Sequence, residues 1–190
     1  MTRGIRQGVF AALLLAAAGA AFAQSPARYG LGRAATPAEI SALDIDVRPD
    51  GTGLPDGSGV SSAGATIYAS KCARCHGATG KEGPNDVLVG RVAGDGFPFA
   101  ADPKVPHTIG NYWPYATTVF DYVRRAMPTT APGSLTNDEV YALTAFLLHE
   151  NGIIEAGAVM DKASLPKVQM PAKKYFVPDT RKQAAEKPKP

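Results

Sequence analysis

Apolar positions in this chain recur at helical spacing in some stretches and lose all period in others. Val140, Leu143, Thr144, Leu147 and Leu148 line one helix face, and Asn151-Gly152 supplies the stop. Thr136-Asn137-Asp138-Glu139 reads as a capping box ahead of that face, with Leu135 and Val140 as the hydrophobic staple. Val119, Tyr122, Val123 and Ala126 predict another helix, starting at Pro114 and halted by Met127-Pro128. Arg124 and Arg125 close it with favourable positive charge, as a docking patch or a solvated face. Ala65, Ile67 and Tyr68 predict a third helix, capped by Ser61 or Ser62 and running to Cys72. A short fourth is expected from Thr36 through Leu43, with Thr36 as cap and Glu39 reaching back. The last helix must bury its stripe, and the helix leading to the cysteines is the natural partner.

Between and around these stretches the period disappears. Residues 24–60 are broken by Pro26, Pro37, Pro49 and Pro55 and by two Asp-Gly turns, yet carry Ile45, Val47 and Leu54. They read as an extended arm lying on the domain or on a partner. After Gly157, Pro166 and Pro171 interrupt a stretch that keeps Leu165, Val168, Met170, Tyr175 and Phe176, a second extended arm. The chain then divides into a signal peptide (1–23), an N-terminal arm (24–60), a helical domain (61–152), a C-terminal arm (153–178) and a basic disordered tail (179–190). The signal reading rests on Arg3 and Arg6, the apolar run Val9 to Ala20, and Ala21-Phe22-Ala23 as the small-x-small cleavage site. That run is short for a membrane span, so the mature form is expected to have none and to reside in the periplasm.

Composition narrows the function. The formal net charge of the 190-residue chain is +3, and Arg3 and Arg6 leave with the signal. Nucleic-acid binding, which needs a strong basic field, is therefore not expected. The chain has 2 cysteines. Unbonded thiols are unusual in an oxidising, exported compartment, so these two need a chemical role.

Their context supplies one. Cys72-Ala73-Arg74-Cys75-His76 is a C-x-x-C-H run, the attachment signature of a c-type haem. Two thiols one helical turn apart can add to two vinyl groups of one porphyrin, and the adjoining His76 then supplies the proximal nitrogen. A Cys72–Cys75 disulfide would close a very short loop to little entropic effect. A zinc site would have only His107 and His149 to complete it, and a thioredoxin-like site lacks its βαβ context. His149 is better read as complementing the last helix's dipole.

The remaining haem contacts are graded by chemistry. Met127 is expected as the sixth ligand, a soft thioether beyond the helix that would cross to the distal face. His107, Met160 and Met170 are its rivals. A backbone carbonyl around Pro84, in Gly83-Pro84-Asn85, is a candidate acceptor for the other ring N–H of His76, equally readable as an ordinary turn. Tyr112 and Trp113, in the aromatic run Tyr112-Trp113-Pro114-Tyr115, could donate to a haem propionate or pack in the core.

The order Cys72-x-x-Cys75-His76, Gly83-Pro84, Met127-Pro128 and a capped final helix resembles a class I cytochrome c. Gly30-Leu31-Gly32-Arg33, Asp44-Ile45-Asp46-Val47-Arg48-Pro49-Asp50-Gly51, Phe120-Asp121-Tyr122-Val123-Arg124-Arg125-Ala126-Met127-Pro128 and Leu165-Pro166-Lys167-Val168-Gln169-Met170-Pro171 narrow the resemblance. They are similar to the cytochrome subunit of sulfane dehydrogenase, of the bacterial thiosulfate-oxidising (Sox) system, and to cytochrome partners of periplasmic sulfite dehydrogenases. The resemblance spans most of residues 28–177. It implies an all-α fold class, the class I fold around one covalent haem c, with a molybdenum-containing sulfane or sulfite dehydrogenase as electron donor and a downstream periplasmic cytochrome as acceptor. Longer family members carry a second haem domain, so this chain is expected to be a single-haem form.

The expected role is therefore an electron-transfer subunit of an oxidoreductase complex, with no catalytic residue of its own. A free shuttle to an oxidase or other reductase is the alternative. A haem enzyme or sensor with an open distal site is a third, and requires that Met127 not bind iron.

Overall fold

The computed structural model describes residues 29, 31–91, 102 and 104–177. The signal peptide expected at 1–23 and the tail expected at 179–190 lie outside the described residues. Two units are distinguished, one ending at Leu43 and the other beginning at Asp44. In the first, helix α1 (Pro37–Leu43) buries none of its residues. Its local grammar is as expected: the N–H of Thr36 donates to Oε2 of Glu39 at 2.8 Å, and the N–H of Glu39 donates to Oγ1 of Thr36 at 3.3 Å. Glu39 also pairs with Arg33, and that partner holds its carboxyl down to about 2.

The second unit is built on three longer or shorter helices around the cysteines and one dominant helix across them. A strand β1 (Ser58–Val60) leads directly into α2 (Ser61–Lys71), followed by the single turn α3 (Ala73–His76), then α4 (Ala116–Ala126) and α5 (Asn137–Glu150). A strand β2 (Val159–Asp161) and two 3₁₀ turns (Leu165–Lys167 and Pro171–Tyr175) complete the described chain. The all-α expectation is met apart from β1 and β2, which pair antiparallel with Gly59 opposite Met160.

Helix α5 follows the sequence closely. Thr136 and Glu139 form the reciprocal capping box, and the whole predicted stripe from Val140 to Leu148 is buried. Burial goes further than one stripe: Tyr141, Ala142 and Ala145 are covered too, because β1, α2 and α4 all pack on this helix. The expected α2–α5 contact is intimate. A Cβ placed on Gly64 would lie 2.0 Å from the Ala142 carbonyl oxygen, so only glycine lets the two backbones approach this closely.

Two expectations need correction. Neither Ser61 nor Ser62 caps α2; the cap is Val60, in extended backbone, with no side-chain bond. The paired strand β1 fixes the chain's entry instead, and Ser61 is buried as the first helical residue. Helix α4 starts at Ala116, two residues past Pro114, and its buried face is Ala116, Val119, Phe120 and Val123. Tyr122 is 48% exposed, so the apolar stripe sits one row over from the Tyr122 and Ala126 reading.

The part of the N-terminal arm from Asp44 onward lies on this helical unit, with Val47 buried. So does the C-terminal arm: Met160, Leu165, Met170 and Ala172 are buried in or against the core. Among the described residues no helix is long and apolar enough to cross a membrane.

Candidate haem site

Helix α3 is one turn long because its sequence is the attachment run itself. Its backbone closes through the N–H groups of Cys75 and His76, both donating to the Cys72 carbonyl at 3.0 Å. Both thiols are half-buried and unbonded. Burial pushes the Cys72 thiol up to about 11. A reactive thiol needs a lowered value, and burial moves Cys72 the other way.

The loop after α3 folds back over it. A Cβ on Gly83 would meet the Cys75 carbonyl oxygen at 2.2 Å, so this glycine allows the loop to lie on the turn. The N–H of Asn85 donates to that same carbonyl at 3.0 Å. One residue later the carbonyl of Asp86 stands 2.8 Å from Nδ1 of His76. A carbonyl only accepts, so His76 carries its proton on Nδ1 and keeps the Nε2 lone pair for a metal. The acceptor expected around Pro84 is thus the Asp86 carbonyl. The Asn85 bond swings the backbone past Pro84 before a carbonyl faces the ring, and Pro84 lines the cavity instead. Beneath the turn, the buried Tyr68 hydroxyl donates to the Gly77 carbonyl at 3.0 Å.

Two cavities meet at His76. One of about 370 Å³ is walled by Cys72, Cys75, Leu135, Leu143 and Thr129. The other, of about 590 Å³, extends toward Trp113, Tyr122, His107 and Lys104. His76, Asn85, Leu88, Val123, Met127 and Leu147 line both. The imidazole and the thioether therefore stand at the divide, with both thiols in one wall and mostly aliphatic side chains around them. The donor set is two thiols, an imidazole held by its far nitrogen and a soft thioether; the cavity beside the thiols is largely apolar and the larger one is mixed. These residues fit a covalently attached haem.

The rivals of Met127 are placed differently. Met160 and Met170 are core residues, 5% and 4% exposed, and line neither cavity. His107 lines only the larger cavity, where its ring stacks on Tyr112 with centroids 4.1 Å apart. Of the aromatic pair expected at the haem, Trp113 lines the larger cavity and Tyr112 lines neither. Tyr112 is turned toward the C-terminal arm, its ring meeting Phe176 edge-on at 5.6 Å. Trp113 instead meets Tyr122 edge-on at 5.7 Å.

Three residues at the site were not singled out by sequence. Asp86 acts through its backbone, which no side-chain motif advertises. Tyr122 has helical spacing that reads as core. Asn151 reads only as a helix stop, yet its buried carboxamide holds the loop beside the cavity.

Comparison with known proteins agrees with the geometry. Residues 60–147 match the family described as cytochrome c oxidase, cbb3-type, subunit III. Among solved structures the chain is similar to one of the sulfane dehydrogenase SoxCD from Paracoccus pantotrophus, at 43% identity and a TM-score of 0.69. The likeness covers 84% of this chain and 76% of that one. No match is found among curated protein sequences.

Proposed function

Because the chain belongs to the class I c-type cytochromes, in the family of the sulfane dehydrogenase cytochrome subunit, we propose that it accepts single electrons from a molybdenum-containing sulfane or sulfite dehydrogenase in the periplasm and passes them to a downstream cytochrome. The observation that carries this reading is the convergence of Cys72, Cys75, His76 and Met127 on adjoining cavities. When bound, one haem c supplies a one-electron iron couple. The chain's own residues do the rest. Cys72 and Cys75 would tether the group through thioethers. His76 would offer Nε2 to the iron, its ring fixed by the Asp86 carbonyl. Met127 would offer its thioether sulfur to the iron, and a thioether ligand would raise the potential into the electron-transfer range. Leu88, Val123, Leu143 and Leu147 exclude water from the slot.

In this reading the chain moves electrons and the partner carries out the oxidation. One observation favours the free shuttle as a second reading. The C-terminal arm and the segment after Leu43 cover the chain's own core, so those arms do not by themselves call for a partner. The subunit reading draws instead on the likeness to a dehydrogenase complex.

The deciding experiment is isolation of the mature, haem-loaded protein from periplasmic extract, with molybdenum assayed in the same fraction. Haem reduction by sulfite or a protein-bound sulfane, dependent on that molybdenum fraction, is expected. A lone cytochrome that neither substrate reduces would overturn the subunit role in favour of the shuttle.

A further inference from the structure

Asn151 follows the last residue of α5, and its side chain does more than end the helix. The residue is 2% exposed. Its Oδ1 accepts from the N–H of Gly90 at 2.9 Å and from the N–H of Gly110 at 3.1 Å. Its Nδ2 donates to the carbonyls of Leu88 at 3.2 Å and Leu147 at 2.8 Å. One carboxamide therefore ties three separate segments: the last turn of α5, the stretch Leu88–Gly90, and the turn at Gly110. The same stretch is held from other sides. Thr108 Oγ1 donates to the Gly90 carbonyl at 2.6 Å, and the N–H of Leu88 donates to the Gly80 carbonyl at 2.8 Å. Only Val87 separates Leu88 from Asp86, whose carbonyl receives the His76 Nδ1 proton.

We propose that Asn151 is a positioning residue for His76. By fixing Leu88–Gly90 it holds the Asp86 carbonyl in place, and through that bond it sets the orientation and basicity of the imidazole. The inference rests on His76 being an iron ligand, as in the function proposed above. Its physical basis is the completeness of the clip. The amide uses both donors and both acceptor positions in a buried setting; without it the N–H groups of Gly90 and Gly110 lose their acceptor, while the carbonyls of Leu88 and Leu147 keep the N–H groups of Ile109 and Asn151. Outer partners of a ligating histidine tune its donor strength, so a displaced carbonyl is felt at the metal. Leu88 and Leu147, each bonded to the amide, also line both cavities, so the same clip holds the wall around the axial residues.

The test is hydrogen exchange of the His76 Nδ1 proton in the ferrous, haem-loaded protein, with the reduction potential measured alongside. In Asn151→Ala the proton is expected to exchange faster by about tenfold or more. The potential should rise, because a less tightly held imidazole is a weaker donor to the ferric state. Asn151→Asp keeps an acceptor for Gly90 and Gly110, and its exchange rate should fall between those of Asn151→Ala and the parent; its potential is no guide, because the added carboxylate lowers it independently. Leu165→Ala or Leu165→Val, whichever matches the unfolding midpoint of Asn151→Ala, serves as control, since Leu165 is buried but lines neither cavity. It should leave both readouts unmoved. Equal shifts in Asn151→Ala and the control would overturn the proposal, since the effect would then be general destabilisation.

If Asn151→Ala does not fold, the parent protein decides. The His76 proton and the amides of Gly90 and Gly110 should then exchange in one common opening. A His76 proton that exchanges far faster than those amides overturns the clip. Absence of covalent haem would remove the functional reading together with this inference, whereas normal haem attachment with unmoved exchange removes the inference alone.

Discussion

The backbone N–H of Val47 donates to Oδ1 of Asp121 across 2.8 Å, a bond that fastens the segment after Leu43 to helix α4. The carboxylate sits in a residue only 7% exposed and is not left bare. Arg125 Nε donates to the same oxygen at 2.9 Å, and the guanidinium also pairs with Oδ2. Arg124 reaches the Ile45 carbonyl at 3.0 Å. Arg124 thus works inward on the arm and Arg125 on the carboxylate that holds it, as well as complementing the helix terminus. The same helix carries Val119 and Val123 into the cavity wall, so the arm braces the site from behind.

Removing that brace should be costly. Asp121→Ala leaves the Val47 N–H buried without an acceptor and is expected to lower unfolding free energy by about 2–3 kcal/mol. Asp121→Asn keeps an oxygen for Val47 and should lose roughly half as much. Denaturant unfolding of the haem-loaded protein measures both. Equal losses would mean that the ion pair with Arg125, and not the bond to Val47, is what matters.

Met127 has a sharper signature than stability. Met127→Ala is expected to lower the reduction potential by on the order of a few hundred millivolts, within the roughly 0.8 V that axial ligands span. It should also open the iron to added cyanide or carbon monoxide. His107→Ala should do neither. Redox titration and ligand-binding spectra of the two variants decide the assignment, and a reversed pattern would transfer the sixth position to His107.

How much of this was legible in the sequence depends on where the information lies. The C-x-x-C-H run and the α5 capping box are local, so residue type and spacing carry them completely. The period of α4 points one row over, because Tyr122 has the right spacing for core but meets Trp113 at the cavity. Strand pairing between Ser58–Val60 and Val159–Asp161 joins segments a hundred residues apart, each too short to show alternation. The acceptor for His76 is a main-chain carbonyl, and no side chain reports where a carbonyl will face. Asn151 was visible only as a helix stop, because its partners are backbone groups of two distant loops.

A pH effect follows from Glu139. Its bonds to Lys71 at 2.7 Å, and then to the N–H of Thr136 at 2.8 Å, hold its carboxyl below the ordinary value of 4.5. A carboxyl lowered on folding adds stability that is complete above its unfolded value and is lost as pH falls through the folded one. Stability should therefore decline below about pH 4.5. In Glu139→Gln that component of the decline should be missing. The pair is partly exposed, so the difference at neutral pH should stay under about 1 kcal/mol. Unfolding curves of parent and variant at neutral and acid pH test this; parallel acid losses would assign the decline to other carboxyls.

The C-terminal arm makes the last case. Sequence alone leaves open whether it lies on the domain or on a partner, and the described part lies on the domain. Leu165 is fully buried, its 3₁₀ turn packs on α4, and β2 pairs with β1. Leu165→Ala should cost about 2–5 kcal/mol. Deleting residues 158–190 should lower the unfolding midpoint sharply and impair haem retention, so reduced partner capture by that truncation would say nothing about contact. The informative deletion is at the other end. Helix α1 buries none of its residues, and removing the residues before Asp44 should leave stability within about 0.5 kcal/mol of the parent. If dehydrogenase capture then falls while the unfolding midpoint holds, residues before Asp44 contact the partner. If both hold, that segment contributes nothing to docking, and the cavity-bearing unit alone must carry the recognition.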